Sequence, residues 1–257
     1  ETVMDLLEGL TGNRVNYSVN VLGGVKCDVD DKQRDAILKG IDYLEERTHH
    51  YLKVVTTDET FLGRTRGIGA MTAAQVDELG VVGPTARASG AFRDIRIEAP
   101  YAFYIQVPVN LVQETAGDLE ARFVVRIKEL FESFRLIRCI LDQLPPGELE
   151  TRFPRRIPEN EAVSRVEAPR GELFYYLRSN GSDHPERIKV RTPSLCNFSS
   201  VIVTAVGHKL ADMPMILAGI DPCFSCNDRM VVLQHADGNC QTWAWDDLRR
   251  YANEYYK

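Results

Sequence analysis

The sequence predicts an α+β protein, predominantly helical, in which a helical-bundle core carries a small antiparallel β element. Three observations predict it. Leu119, Phe123, Ile127, Leu130, Phe134, Ile137 and Leu141 recur at intervals of three and four, a near-heptad seam that packs a helix against other helices. Asp31 to Thr48 repeats the pattern more weakly, with Ile37, Ile41 and Leu44 on one face of a polar helix. Glu172 to Arg178 and Arg187 to Arg191 read as two strands, joined through Ser179-Asn180-Gly181-Ser182, whose Asn-Gly pair is a strong turn signal.

Taken in order, Glu1 to Leu10 reads as an amphipathic helix already in progress. Residue 1 is not Met, so the chain is expected to be cut from something longer. After the polar surface helix of Asp31 to Thr48 comes a loop around Gly63 to Gly69. A short helix follows, from Thr72 as N-cap to Gly80 as C-terminal stop. Arg87 to Arg96 mixes cations with an acid and a glycine turn and reads as solvated charge. The long helix begins near Asp118 and stops at Pro145-Pro146-Gly147, with Cys139 inside it as a small buried hydrophobe. Between those prolines and Glu167 the polar, charged stretch containing Pro154 and Pro158 reads as a loop or local boundary. From Phe198 to Gly219 the pattern turns apolar and helical again. His208 reads as a hydrogen-bonded helix histidine there, and His184, beside Pro185, as an exposed turn residue.

Composition narrows the function classes. The chain has 257 residues, 44% hydrophobic and 26% charged, which fits a globular protein of one or two domains. Lys and Arg total 31 against 37 Asp and Glu, a formal charge of -6, and no basic block tracks a phosphate backbone, so nucleic acid is excluded as a partner. Six cysteines at irregular spacing do not form a secreted disulfide framework and point to a reducing cytosol. No apolar run reaches the roughly 18 residues needed to span a bilayer, and the opening residues have no signal-peptide character. Membrane association would go through partner subunits.

The chemistry concentrates near the C-terminus. In Asp221-Pro222-Cys223-Phe224-Ser225-Cys226-Asn227-Asp228-Arg229 two cysteines stand three residues apart, so both sulfurs can reach one soft metal ion. The spacing alone serves a structural zinc, a redox dithiol or an iron-sulfur cluster. Cys223, Cys226, His235 and Cys240 have the residue types of a Cys3His zinc site; a thioredoxin-type dithiol would need a preceding strand and a following helix, which this pattern lacks. In Ala168-Pro169-Arg170-Gly171-Glu172 a fixed proline and a free glycine aim one arginine from a tight loop, suited to an anionic ligand or to an ordinary ion pair. No Gly-rich phosphate cradle and no G-x-S-x-G elbow occur.

The C-x-x-C motif with its Asp221-Pro222 lead and Arg229, the Ala168 to Glu172 loop, Thr11-Gly12-Asn13-Arg14-Val15 and Gly23-Gly24-Val25 together resemble the large subunit of nickel-iron hydrogenases, in its membrane-bound, energy-converting branch. Val82-Gly83-Pro84-Thr85-Ala86-Arg87-Ala88-Ser89-Gly90, Arg93-Asp94 and Pro100-Tyr101 are similar to the related quinone-site subunit of respiratory complex I. The resemblance covers Glu1 to Arg229 and implies the fold of a hydrogenase large subunit or of that quinone-site subunit. It implies a nickel-iron centre with Cys223 as terminal nickel ligand and Cys226 as bridging ligand. Arg170 would overlie the diatomic ligands of the iron, and Thr192 would donate to them. It implies a small iron-sulfur partner subunit and membrane subunits, with the protein peripheral on the cytoplasmic face of the membrane.

Two departures from the family pattern carry expectations. The family's other cysteine pair, in an R-x-C-G-x-C motif, and its proton-transferring glutamate are absent, so the isolated chain is expected to hold no stable centre and to be inactive. Met230 to Lys257 follow the arginine after which a maturation protease cuts in the family. Residues 230–257 are therefore expected to be an extension removed between Arg229 and Met230, leaving 1–229 as the enzyme portion. The alternatives are a metal-free quinone pocket, like that of the complex I relative in an NADH dehydrogenase, and a zinc-stabilised structural module.

Overall fold

The computed structural model describes residues 1–15, 17–152, 154, 156–228, 233–234, 240–241, 243 and 245–255. The chain divides into two compact units, Glu1–Pro222 and Cys223–Lys257.

In the first unit, α1 (Thr2–Thr11) packs on α2 (Asp31–Thr57), with a small hairpin of β1 (Asn20–Val21) and β2 (Gly24–Val25) between them in sequence. Asp30 starts α2 with a reciprocal cap, its side chain accepting from Gln33 N–H while Gln33 accepts from Asp30 N–H. The helix runs nine residues past Thr48, where the sequence pattern ended. Beyond that point His49 packs on Phe131, ring centroids 4.5 Å apart, and tertiary contact sustains helix where periodicity is weak. After α3 (Glu59–Leu62), α4 (Ala73–Leu79) lies where it was expected, with a Thr72–Gln75 capping box and a left-handed Gly80. Two short helices, α5 (Gly83–Arg87) and α6 (Ile95–Glu98), bracket the charged segment.

The long helix α7 (Leu119–Asp142) starts on Asp118, whose side chain accepts from Ala121 N–H. It packs along α2, and Arg138 ties the pair by hydrogen bonds to Asp42 (2.9 Å) and Glu45 (2.6 Å). Its apolar seam is buried only in part. Leu119, Phe134 and Leu141 are buried, whereas Leu130 is 44% and Ile137 37% exposed. A straight helix of 3.6 residues per turn drifts off a seven-residue repeat, and here the covered face turns toward Arg122, Val125, Glu132 and Leu136. Cys139 is partly buried beside Val107, Val109 and Leu136.

A three-stranded antiparallel sheet follows, in the order β3 (Asn160–Ala168), β4 (Gly171–Ser179) and β5 (Pro185–Arg191). β4 and β5 lie at the expected strands. β3 replaces the loop expected before Glu167: its first six residues are exposed, so it carries little of the alternation that marks a half-buried strand. The apolar stretch after Phe198 is not one helix. It forms α8 (Pro193–Ala205) and α9 (Met213–Gly219), separated by Gly207 at φ 87° and restarted by Pro214 in the first turn of α9. His208 sits in that break rather than in a helix; it is hydrogen-bonded, with Nε2 accepting from Gly69 N–H at 3.1 Å. His184 is exposed, as expected. Leu119, Val201, Ile216 and Ile220 form the core cluster that fixes α7, α8 and α9 together, each such side chain contributing about 1.5–3 kcal/mol by burial.

The second unit holds α10 (Phe224–Asn227), the paired β6 (Leu233–Gln234) and β7 (Cys240–Gln241), and α11 (Trp245–Tyr255). The Trp243 ring lies 5.1 Å from that of Tyr251. Arg229, Met230 and His235 lie outside the described residues, as does the Cys240 side chain. The expected cleavage position and two members of the Cys3His set, His235 and Cys240, fall there.

Candidate functional site

Arg170 occupies the tight turn between β3 and β4, aimed by the backbone around it. Gly83, at φ 69°, lies against that turn so closely that a Cβ on it would stand 2.4 Å from the Arg170 carbonyl oxygen. Only glycine allows both that dihedral and that approach. Asn197, fully buried on α8, clamps the same pair of segments: its Oδ1 accepts from Val82 N–H at 3.0 Å and its Nδ2 donates to Arg170 O at 3.2 Å.

With its backbone held, the Arg170 side chain reaches Asp221. Nε donates to the Asp221 main-chain oxygen at 2.7 Å and Nη2 to its Oδ1 at 3.0 Å. Asp221 has φ 53°, in the left-handed region that aspartate tolerates better than most residues. Both side chains are partly exposed, 28% and 41%, so the pair adds little stability and acts mainly by orientation. It fixes the chain two residues before Cys223.

Cys223 and Cys226 stand at the start and within the single turn of α10, both half-buried. Asn227 Nδ2 donates to the Cys223 carbonyl at 2.7 Å and closes the turn. Cys223 has the extended backbone of an N-cap and Cys226 lies within the turn that follows, a C-x-x-C spacing whose two donors suit one side of a soft-metal site. Among the described residues no group of three or more His, Cys, Asp and Glu converges on one point. Thr192 is the N-cap residue of α8, directly before Pro193.

The charged segment reading as solvated is the most buried ionic cluster of the unit. Arg87 is 1% exposed and its guanidinium meets three carboxylates: Glu129 at 2.7 Å, Glu167 at 2.8 Å and Asp94 at 3.5 Å. Arg96 closes the cluster on Asp94 at 2.6 Å. Burial opposes the charge on Arg87, but its three carboxylates outweigh it and raise its pKa. Burial likewise opposes the charge on Asp94, yet its Arg96 and Arg87 bonds hold its carboxyl below the usual range. Glu167 goes the other way: burial pushes its carboxyl up, with Asp94 adding to the rise. Sequence reasoning missed this cluster because local composition cannot tell a solvated charge run from one buried by distant elements. The available signal was Gly83-Pro84 ahead of it, a turn and helix start that places Arg87 inward.

A cavity of about 440 Å³ opens beside the cluster, lined by Arg87, Arg126, Glu129, Ser133, Glu167 and Asp221 among others, with Ala168 and Pro169 of the Arg170 turn. Arg126 spans from α7 to the end of α9, donating to Gly219 O at 2.9 Å.

The family model of the respiratory-chain NADH dehydrogenase, 49 Kd subunit, matches residues 1–156 and 154–229. The chain belongs to that family. Relatives of the 49 Kd family differ in the activities they are named for. The chain is 39% identical over 230 residues to the carbon monoxide-induced hydrogenase of Rhodospirillum rubrum, covering 89% of this chain and 64% of that protein. It is 34% identical over 257 residues to an NADH-quinone oxidoreductase subunit of Rhizobium etli, again covering 89% of this chain and 64% of the relative. Its fold matches a chain of the membrane-bound sulfane sulfur reductase, an archaeal respiratory membrane complex. The TM-score is 0.82 at 33% identity, over 88% of this chain and 63% of that one. The chain thus spans a little under two thirds of the proteins it matches.

Proposed function

We propose that this chain is part of a membrane-associated, energy-converting nickel-iron hydrogenase, as the portion of its large subunit that carries the C-terminal thiolate pair. The observation that carries the reading is Cys223-x-x-Cys226, with Cys223 the N-cap of the turn that holds Cys226, two residues in sequence after an aspartate locked to Arg170. When bound, a nickel-iron centre supplies the soft metal at which dihydrogen is split or formed. Cys223 and Cys226 would hold it as thiolates, Cys223 Sγ also taking and giving up a proton. Arg170 would present a fixed, permanently charged guanidinium to the centre's anionic ligands, and Thr192 a hydroxyl to the same ligands. Two thiolates are half of the four that the resemblance to nickel-iron hydrogenases implies, so this pair by itself would hold no nickel stably.

Electrons would pass through a small iron-sulfur subunit, and membrane attachment would come from partner subunits. Among the described residues no helix is long and apolar enough to cross a membrane. Maturation would cut between Arg229 and Met230; an intact mass that retains residues 230–257 in active enzyme would contradict this.

A quinone-reducing role like that of the complex I relatives is favoured by the Rhizobium etli protein and by the description of the matching family. Hydrogen evolution by the complete complex, with nickel retained in wild type and lost in Cys223→Ser and Cys226→Ser, supports the hydrogenase reading. Quinone reduction by a nickel-free complex favours the other. Zinc in place of nickel would point to the structural module instead.

A further inference from the structure

Glu167 lines two cavities. One is the 440 Å³ cavity that opens beside Asp221 and the Arg170 turn. The other, of about 30 Å³, lies toward Arg93, Asp94, Glu98, Arg165 and Glu172. The smaller exceeds the roughly 10–15 Å³ that a single water requires, and its lining is polar enough to hold one. A carboxyl shared by two spaces large enough for water is placed to exchange protons with both.

The local charge favours the same role. Within the cluster the guanidiniums of Arg87 and Arg96 face three carboxylates, those of Asp94, Glu129 and Glu167. Arg126, the third guanidinium of the larger cavity, makes its hydrogen bonds to neutral acceptors, Arg122 O, Thr85 Oγ1 and Gly219 O. Glu167 accepts one guanidinium hydrogen bond, from Arg87 to Oε1 at 2.8 Å, and one from Ile95 N–H to Oε2 at 3.2 Å. Asp94, by contrast, accepts two guanidinium hydrogen bonds from Arg96. Burial and the nearby Asp94 raise the Glu167 carboxyl toward protonation. The Tyr101 hydroxyl holds the main chain of the same residue, accepting from the Glu167 backbone N–H at 3.0 Å.

We propose that Glu167 is a proton-relay residue, accepting a proton from water in one cavity and releasing it to water in the other, so that the larger cavity serves proton movement at the Arg170–Asp221 site. Uptake makes an O–H bond at a Glu167 carboxylate oxygen as one breaks at a water carrying an excess proton, leaving neutral water, and release breaks that bond as the proton adds to water on the other side; no electron moves. The inference rests on the redox reading above only in that some proton-coupled reaction occurs there.

The test uses the complete complex with Glu167→Gln and Glu167→Asp, and reads infrared difference spectra and turnover. Wild type is expected to show a protonated-carboxyl C=O band that titrates with pH and is missing in E167Q. Turnover of E167Q, with whichever acceptor the complex reduces, is expected to fall about 100-fold or more at unchanged KM, with partial recovery in E167D. Where E167Q does not assemble, E167D is read alone, and a solvent deuterium isotope effect larger than wild type supports the relay. Absence of a band assignable to Glu167, wild-type turnover in E167Q, or an unchanged isotope effect in E167D overturns it. A complex that reduces quinone rather than protons would defeat the hydrogenase reading and leave this one to be read on quinone reduction.

Discussion

Arg87 and Arg122 are equally buried, at 1% and 0% exposure, and are stabilised in opposite ways. Arg87 is surrounded by carboxylates from α7, β3 and the start of α6. Arg122 has no carboxylate in ion-pair reach among the described residues and donates to main-chain oxygens, Gly69 O at 2.7 Å and Gly117 O at 3.3 Å. Its guanidinium is pushed down to about 10 by burial and by the neighbouring Arg126. The difference teaches that buried charge does two jobs in one unit. Around Arg87 it builds a coupled, titratable cluster on a cavity; around Arg122 it fastens loops to α7.

The largest expected effect that would break this comparison comes from Arg87→Ala. Removing the shared cation strands Asp94, Glu129 and Glu167 together, and about 3–5 kcal/mol of stability is expected to be lost in denaturant unfolding. A loss under about 1 kcal/mol would mean that the carboxylates do not depend on it. Asp94→Asn comes next, at about 2–3 kcal/mol near neutral pH. Because the folded state holds the Asp94 carboxyl low, wild type keeps this advantage above the unfolded aspartate pKa and loses it as pH falls through the folded value. The gap between wild type and Asp94→Asn is thus expected to close in acid, and a pH-independent gap would contradict the assignment.

Arg122→Met sharpens the comparison from the other side. It removes two carbonyl contacts but also an unpaired buried cation, so the expected loss is about 1–2 kcal/mol, well under that of Arg87→Ala. Equal losses for the two variants would erase the distinction. The smallest effect is expected for Asp221→Asn, within about 0.5 kcal/mol, since the pair with Arg170 is partly exposed and the main-chain bond from Nε survives.

What was legible in the sequence follows the same division between local and distant causes. The limits of α4 and α7 were readable because Thr72, Gly80 and Asp118 act within one turn of their own position. The β4–β5 pair was readable from alternation and Asn180-Gly181. β3 was not, because its polar and charged residues follow directly on Pro154 and Pro158 and read as a loop, and its pairing with β4 is a property of the turn at Pro169 and Arg170. The Arg170 turn was found because Pro and Gly leave a local mark. Its clamp by Asn197 was not, for a single buried amide 27 residues away leaves none. Arg87, Asp94 and Glu167 were misread or passed over because their partners are scattered over α5, α6, α7 and β3.

The proposed function stands or falls with Cys223 and Cys226 as metal-ligating thiolates of a hydrogen-converting centre. Elemental analysis of the complete complex, wild type beside Cys223→Ser and Cys226→Ser, tests it most directly. Stoichiometric nickel in wild type, lost in both variants while the complex remains assembled, is the expected result. A wild-type complex that is active without nickel, or variants that retain it in full, would contradict the claim.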